Sequence, residues 1–534
     1  MVYHYTSLCR YTRPMKHCAC VFCLLLSLTC YSQHDSTTAV TIGPEFKTDQ
    51  NAVPLRVVHT DKSGFYVIFG GRANGKGPQY LYKFDHALGL VAHQKQALDL
   101  DVQQRKIEYR LVPTSTGLYY ISFLPNQRLS QQYFIQQVDP NTLELSQPRM
   151  VPMTKDFSRQ PPLDYTFLNS TYGGKRVALA HKFETNVNSY TNVAVNVFDQ
   201  DMQSVWDGAF QLPVIDKLLY LRDYQVDEQG IVHILAKRYY KNIREVRDKV
   251  VNYDYLLFSL HPDGSIDSQE IKTENKLLSN IRLGIAANGD ITCVGTYSQG
   301  HVSGLGGVFY ARWEAQSGKK LISTFTPLSE QFFTAGMSDN EIDKMRKVVA
   351  KGNVLEHVAF AFRTGTSRSD GGYTLLGSVY QLDPLDFTAK IPGNKVYMTG
   401  LNDGESLVIH VNGEGVITYS RVVVNSVFEG STCFLLAPNE LVTFYAQNKK
   451  TRELISSGRL GFPLKISENT VVHALRFGAQ GEQETIELYD WASANSKTSF
   501  DFSLRLNSKE MLLLGRRKPY QRFIKVSFKN PREQ

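Results

Sequence analysis

Hydrophobic and polar positions along the chain group into short runs rather than following a helical period. Runs rich in Val, Ile, Leu, Tyr and Phe alternate with clusters of Gly, Asn and Asp. Branched and aromatic side chains favour strands, and the small polar residues favour the turns between them. The pattern therefore predicts an all-β protein.

The runs follow a repeated order of four strands. An apolar first strand and a strongly apolar second strand are joined by a tight turn. A longer polar loop leads to the third strand, and a second tight turn leads to a more polar fourth strand. The first tight turn and its following strand occur eight times, as DKSG-FYVIFG from Asp61, TSTG-LYYISF from Thr114, YGGK-RVALAH from Tyr172, DEQG-IVHILA from Asp227, ANGD-ITCVG from Ala287, SDGG-YTLLG from Ser369, APNE-LVTFY from Ala437 and NSKE-MLLLG from Asn507. The last unit ends at its third strand, 523–528, and an extra strand, 38–46, precedes the first unit.

A four-strand meander that lacks one strand at its end and has one extra at its start predicts a closed β-propeller. The N-terminal strand would complete the last blade and remove the exposed sheet edges. The repeats give eight blades, with seven as the alternative because the third and last copies have weak turn signals. One short helix, 338–351, is predicted between units five and six from a capping box and a terminal glycine. Residues 33–534 are thus predicted to form a single propeller domain.

Residues 1–32 are predicted to be a signal peptide. The apolar run CACVFCLLLSLTC follows Lys16, ends near the small residue Ser32, and is too short to span a bilayer. A lipid anchor at Cys30 is an alternative, disfavoured because residues 27–29 match the usual approach to such a cysteine poorly. No later apolar segment is long enough for a transmembrane helix. The sequence therefore predicts an exported protein, periplasmic or extracellular.

Cys293 and Cys433 are the cysteines that follow the predicted signal peptide. Both lie in predicted strands, two repeat units apart. Because a disulfide needs the two Cα atoms within about 7 Å, the sequence predicts two free, buried thiols.

Three segments resemble exported, propeller-like proteins of the Bacteroidota: RSDGGYTLLGSVYQL, SLVIHVNGEGVITYSRVV and MSDNEIDKMRKVVAKGN. The resemblance extends over roughly the last 300 residues. It departs from those proteins where they tend to have Trp after the Asp-Gly turn and this chain has 417–419, Ile-Thr-Tyr. The resemblance implies a compartment and a fold, and it implies no catalytic residues because no activity is established for that group.

Motifs for known chemistry are missing from the sequence. It contains no G-x-S-x-G, H-E-x-x-H, P-loop or G-x-G-x-x-G motif, and its histidines are scattered singly. The sequence thus predicts no catalytic residues, no metal site and no cofactor. Nucleic acid is not an expected partner, because the protein is predicted to be exported and no recognition motif is present.

The distribution of charge is more informative than its total. The chain carries +8, and Arg10, Arg13 and Lys16 of the predicted signal peptide contribute three of these charges. The predicted loops between second and third strands, which emerge on one face of a propeller, hold 20 Lys and Arg against nine Asp and Glu. The tight turns of the opposite face lean acidic. The sequence therefore predicts one basic face.

The densest basic segment is KRYYKNIREVRDKVVNY, residues 237–253. Basic side chains interleaved with tyrosines suit an anionic, ring-bearing ligand such as an acidic glycan. The candidate ligand-binding residues are Lys237, Arg238, Tyr239, Tyr240, Lys241, Arg244 and Arg247. The alternative is a solvated hairpin kept soluble by its charge. In either case these loop charges are expected to contribute little to folding stability.

Together these features favour an exported, non-catalytic binding or scaffold propeller that binds an anionic glycan or an envelope protein on its basic loop face. One alternative is a glycan-active enzyme, a lyase or hydrolase, whose carboxylates come from different blades. Another is an assembly component of a surface machine.

Overall fold

The computed structural model of the protein describes residues 38–48, 52–70, 79–95, 108–124, 132–151, 162–171, 173–183, 188–247, 250–286, 288–299, 305–315, 317–333, 339–349, 358–368, 370–381, 406–423, 432–437, 440–448, 470–477, 483–517 and 519–528. Most of these residues lie in β-strands or in the turns that join them. Within these segments, no helix has the length and apolarity needed to cross a membrane. The predicted signal peptide and Cys30 lie outside them.

Within the described residues, the strands form eight antiparallel sheets, each with a path of four strands, and one separate two-stranded hairpin. We number the sheets 1 to 8 in chain order of their first long strand. Two strands near the N-terminus, β1 (Thr38–Ile42) and β2 (Phe46–Lys47), belong to sheet 8.

Sheets 1 to 4 contain the following strands in chain order. Sheet 1 has β3 (Val53–Asp61), β4 (Gly64–Gly70), β5 (Gln79–Phe84) and β6 (Leu90–Lys95). Sheet 2 has β7 (Glu108–Pro113), β8 (Leu118–Leu124), β9 (Gln132–Gln137) and β10 (Arg149–Val151). Sheet 3 has β11 (Pro162–Ser170), β12 (Arg176–Phe183), β13 (Tyr190–Asp199) and β14 (Ser204–Ile215), followed by a 3-10 turn, Asp216–Leu218. Sheet 4 has β15 (Leu219–Val226), β16 (Val232–Tyr239), β19 (Tyr253–Leu260) and β20 (Ile266–Ile271), with the hairpin of β17 (Val246–Arg247) and β18 (Val250–Val251) inserted after β16.

The second half of the chain continues the same order. Sheet 5 has β21 (Lys276–Ile285), β22 (Ile291–Gln299), β23 (Gly307–Trp313) and β24 (Lys320–Pro327). Sheet 6 has β25 (Val358–Ser367), β26 (Tyr373–Gln381), β27 (Ser406–Val411) and β28 (Ile417–Val423), and sheet 7 has β29 (Thr432–Ala437), β30 (Glu440–Asn448), β31 (Thr470–Phe477) and β32 (Gln483–Asp490). Sheet 8 has β33 (Lys497–Arg505), β34 (Glu510–Arg517) and β35 (Tyr520–Phe528). The prediction of an all-β propeller with four-stranded antiparallel blades is confirmed.

In the described part of the connection between sheets 5 and 6 there are two short helices: α1 (Glu330–Phe333) and α2 (Asp339–Val349). Helix α2 falls inside the predicted helical segment, whose first residue, Ser338, lies outside the described residues. The guanidinium of Arg346 on α2 donates a hydrogen bond from Nε to Oε1 of Glu330 at 2.7 Å, so this contact joins the two helices.

The hydrophobic core is divided among the boundaries between neighbouring sheets. Buried clusters join sheets 1 and 2, 2 and 3, 3 and 4, 4 and 5, 5 and 6, 7 and 8, and also sheets 8 and 1. Strand β16 shows why: Val232 and Ile234 face sheet 3, whereas Leu235, the residue after Ile234, faces sheet 5. Because alternate side chains of a strand point to opposite faces, a middle strand with apolar residues on both faces packs between two blades.

First strands of neighbouring sheets contact one another: β3 with β7, β11 with β15, β15 with β21, β21 with β25, β29 with β33, and β33 with β3. Polar side chains link several of them through backbone groups. The N–H of Leu283 on β21 donates to Oδ2 of Asp223 on β15 at 2.9 Å. Asn169 on β11 donates to a carbonyl of β15 at 2.5 Å, and Asn280 on β21 donates to the carbonyl of Phe360 on β25 at 2.6 Å. Adjacent blades are therefore held together by directed hydrogen bonds as well as by apolar packing.

Strand β1 completes sheet 8 by pairing with β35. Thr38 is opposite Phe528 and Ile42 is opposite Ile524 in an antiparallel register. This is the pairing that the sequence predicted. Phe46 of β2 packs on Phe523, with ring centroids 5.6 Å apart, within the apolar cluster that joins sheet 8 to sheet 1.

Candidate functional site

A pocket of about 490 Å³ lies where sheet 4 meets sheet 5. Four charged side chains line it: Arg222 on β15, Lys237 on β16, Glu245 just before β17, and Arg282 on β21. Three of them are basic and one is acidic, so the lining favours an anion. The volume lies within the range of pockets that hold small molecules.

Lys237 belongs to a strand rather than to a loop. Strand β16 continues through Tyr239, and Lys237 lies on the same face as Leu235, towards sheet 5. Its side chain is therefore buried, and only 2% of the residue is exposed. The prediction that Lys237 lies in a solvated loop is wrong, because β16 is longer than the apolar run in the sequence.

The Lys237 ammonium is enclosed by tyrosines and one carboxylate. Its Nζ lies 3.6 Å from the ring centroid of Tyr253, and the rings of Tyr239 and Tyr255 are within 6 Å. It donates a hydrogen bond to Oε2 of Glu245 at 2.5 Å, while the hydroxyl of Tyr239 donates to Oε1 of the same carboxylate at 2.9 Å. Glu245, whose side chain is half exposed, is thus both the hydrogen-bond acceptor and the ion-pair partner of this amine.

Burial sets the protonation of this amine. It lowers the pKa of Lys237 to about 8, and the hydrogen bond and charge of Glu245 offset only part of the effect. The positive charge of Arg222 acts in the same direction as burial. Burial and Glu245 together raise the pKa of Tyr239 well above its ordinary value, so this phenol stays protonated as a donor.

Tyr253 fixes the boundary between the two sheets. Its hydroxyl accepts a hydrogen bond from the N–H of Leu278 at 3.0 Å and donates to the carbonyl of the same residue at 3.3 Å. The Lys237 ammonium lies over the face of the same ring. The wall of the pocket is therefore preorganised by contacts between sheets, as a binding site requires.

The two arginines come from the first strands of their sheets. Arg222 is exposed and its guanidinium stacks on the ring of Tyr220, 5.3 Å from the centroid. Arg282 is half-buried and lies 5.2 Å from the ring centroid of Phe362. Planar guanidinium groups held on aromatic rings keep their donors available for a carboxylate.

The remaining sequence-predicted residues lie away from the pocket lining. Arg238 is half-buried in an ion pair with Glu270 on β20, and the Tyr240 hydroxyl donates to Asp254. Lys241, Arg244 and Arg247 are exposed in the segment between β16 and β19, which carries the β17–β18 hairpin and which we call the hairpin segment. The structure thus separates a buried part of the segment from an exposed basic part.

The sequence reasoning missed Arg222, Glu245 and Arg282 as site residues. The sequence predicts ligand contacts from the loops between second and third strands, whereas both arginines lie on first strands. A signal was available, since the first strands of a propeller line its centre. Glu245 was counted only as part of the loop charge.

A Ser–His–Asp arrangement also occurs in sheet 4, near the tight-turn face. Nδ1 of His233 lies 2.9 Å from Oγ of Ser259, and its Nε2 lies 3.3 Å from Oδ2 of Asp227. The other carboxylate oxygen of Asp227 accepts the N–H of Ile231 at 2.8 Å, which closes the first tight turn. None of these residues lines a described pocket. The arrangement stabilises the turn and the strand pair.

A second pocket, of about 740 Å³, opens on the opposite face among the tight turns of sheets 1 to 3. Its hydroxyl groups are mainly engaged within the protein. Thr114 Oγ1 donates to the carbonyl of Gly117 at 3.2 Å, and Ser63 Oγ donates to Oδ1 of Asp61 at 2.6 Å. These internal hydrogen bonds occupy hydroxyl groups that could otherwise contact a ligand in this pocket.

Comparison with known proteins gives similarity of fold only. No protein-family model and no curated protein matches the chain. Among solved structures, the WD40 domain of SCAP from fission yeast is 7% identical with a TM-score of 0.42, and covers 93% of this chain and 96% of its own. The propeller of Dos1 is 9% identical with a TM-score of 0.44, and covers 92% of this chain and 95% of its own.

Proposed function

We propose that this protein is an exported, non-catalytic binding propeller that takes an anionic glycan on the face carrying the loops between second and third strands. The observation that supports it is the pocket between sheets 4 and 5, where three basic side chains and one carboxylate meet tyrosine rings. Arginines suit the carboxylate of an acidic sugar, and the rings suit its apolar faces.

Two parts of this face would contribute differently. The pocket, with Arg222 and Arg282, would hold one acidic sugar directly. The exposed hairpin residues Lys241, Arg244 and Arg247 would attract the rest of the polyanion over a longer range. Screening shortens from about 10 Å at 0.1 M salt to about 3 Å at 1 M, so salt should weaken the second contribution more.

We also infer that the eight sheets are the blades of one closed ring formed by residues 33–534, and that residues 1–32 are removed on export. The pairing of β1 with β35 and the apolar cluster between sheets 8 and 1 support the ring. The order of charged, apolar and small residues supports the cleavage.

The test compares retention on a glycan array and on a heparin-like matrix for three double variants. The pocket variant is Arg222→Gln with Arg282→Gln, and the hairpin variant is Lys241→Glu with Arg244→Glu. We expect the pocket variant to lose binding at all salt concentrations and the hairpin variant to elute at lower salt.

The matched control changes the same amount of charge as the hairpin variant on the opposite face. Lys62 and Lys319 are exposed in tight turns, and both are replaced by Glu. Retention of this control should equal that of the parent protein. Equal retention of parent, pocket and hairpin variants would show that the basic face serves solubility only.

A further inference from the structure

Lys237 differs from the lysine that occupies the same strand position one unit earlier. Lys182 on β12 also follows the first tight turn by the same number of residues, and it is also buried. Its Nζ lies 2.8 Å from Oδ1 of Asp216, a carboxylate that is itself only 8% exposed. The Lys237 amine, by contrast, depends on the half-exposed Glu245, which belongs to the hairpin segment, and it faces an open pocket.

A buried lysine of this kind is retained at a cost to stability. The environment shifts the amine towards its neutral form, and only a neutral amine is a nucleophile. Desolvation and a neighbouring cation, here Arg222, are the features that activate lysines towards carbonyl groups. Ionisable groups that destabilise the folded state but are retained are concentrated at functional sites.

We propose that Lys237 forms a reversible imine with a small ligand that carries both a carbonyl group and a carboxylate. The proposal rests on the binding function proposed above, because Arg222 and Arg282 would hold the carboxylate while the carbonyl carbon approaches Nζ. An aldehyde or ketone bearing an acid group, such as a small oxo-acid or the open-chain form of an acidic sugar, has this chemistry.

The step balances without an oxidant or a reductant. The lone pair of the neutral Nζ forms a bond to the carbonyl carbon, and the first amine proton moves from the nitrogen to the carbonyl oxygen, which becomes a hydroxyl. Glu245 Oε2, 2.5 Å from Nζ, then accepts the second amine proton and donates it to this hydroxyl as it leaves. Water leaves with both amine hydrogens, and the carbon–nitrogen double bond forms. Addition of water reverses the sequence.

The experiment incubates the parent protein with glyoxylate and cyanoborohydride at pH 8, and then locates alkylated lysines by peptide mass spectrometry. Cyanoborohydride serves only to trap the imine. At this pH about half of Lys237 is neutral, since its pKa is about 8. For an exposed lysine with a pKa of about 10.4, the neutral fraction at pH 8 is on the order of 100-fold smaller. We expect Lys237 to be modified faster than the exposed Lys241 and than the buried Lys182.

Two comparisons identify the role of the carboxylate. Glycolate, which has the carboxylate of glyoxylate but no aldehyde group, should slow the labelling of Lys237 by competing for the two arginines. The variant Arg222→Gln with Arg282→Gln should be labelled more slowly by both aldehydes, because loss of the Arg222 charge favours the charged amine. The decrease should be larger with glyoxylate than with formaldehyde, which has no carboxylate. Lys237→Arg should remove the adduct at this position, with circular dichroism showing that the variant is folded.

Labelling of Lys237 at a rate no greater than that of Lys241, in a protein whose pocket still binds acidic glycans, would overturn the imine and leave the binding function standing. Loss of both the labelling preference and the glycan binding would overturn both proposals. Equal labelling by glyoxylate in parent and pocket variant would overturn the assignment of the arginines.

Discussion

Replacing Lys237 with methionine should stabilise the protein at neutral pH. The lysine has a pKa of about 8 when folded, against about 10.4 in an unfolded chain, and at pH 7 this difference corresponds to about 3 kcal/mol of folding free energy. Methionine keeps an unbranched, flexible apolar side chain at this buried position and removes the charge. Glu245 is half exposed and can return to water when its partner is lost. We expect Lys237→Met to gain about 1–3 kcal/mol in urea unfolding at pH 7.

The pH dependence provides the more specific measurement. Between pH 8 and about 10.4 the unfolded chain binds more protons at Lys237 than the folded chain, so the stability of the parent rises with pH in this range. The advantage of Lys237→Met should therefore shrink by about 2 kcal/mol between pH 7 and pH 9.5. Other groups titrate alike in both proteins and cancel in the difference.

The matched control is Lys182→Met, for which the opposite result is expected. Its partner Asp216 is buried and would be left without its ion pair, so the loss should be about 3–5 kcal/mol. A Lys237→Met variant that is less stable than the parent at pH 7, or a difference that does not change with pH, would refute the account of Lys237 as a destabilising buried amine.

Other outcomes test the fold and the compartment. Deleting residues 33–47 should leave an open edge on β35 and broaden thermal unfolding or cause aggregation, and an unchanged transition would contradict ring closure through β1. Thiol titration of the unfolded mature protein should find Cys293 and Cys433 both free, because they lie on β22 and β29 of non-adjacent sheets; a single bridge would contradict the sheet order. N-terminal sequencing of the exported protein should begin near Gln33, and retention of the preceding residues would exclude cleavage there. Asn280→Ala should cost about 1–2 kcal/mol in urea unfolding, through the lost hydrogen bond to sheet 6 and through the left-handed backbone (φ 53°) that Asn tolerates better than Ala, and an unchanged midpoint would show that this link is dispensable.

The fold could be predicted from the sequence because each unit carries its own turn and strand signals. Asp61 illustrates this: its Oδ1 accepts the N–H groups of Ser63 and Gly64, so the residue that marks the turn in the sequence also closes it in the structure. Gly64 has φ +149°, and a Cβ there would lie 1.9 Å from the carbonyl oxygen of Phe84. The local chemistry thus sets where each hairpin turns.

The site could be predicted only in part, because its position depends on where a strand ends and on which strands become neighbours. The sequence after Ala236 has basic and aromatic residues in place of an apolar run, so β16 seemed to end there, although it continues to Tyr239. Arg222 and Arg282 are distant in sequence and lie in one pocket because β15 of sheet 4 contacts β21 of sheet 5. A single sequence contains no local signal that two distant strands become neighbours.

The pairing of β1 with β35 imposes an order on folding. Gln521 donates a hydrogen bond to Thr48 at 3.1 Å across 473 residues of chain. At synthesis rates of about 5–20 residues per second, the partner of β1 is made roughly half a minute to a minute and a half later. Contacts so distant in sequence form slowly, although the entropic cost of closing a longer loop grows only logarithmically. Sheet 8 must therefore be the last blade to assemble, and β1 has to stay unpaired without aggregating until it does.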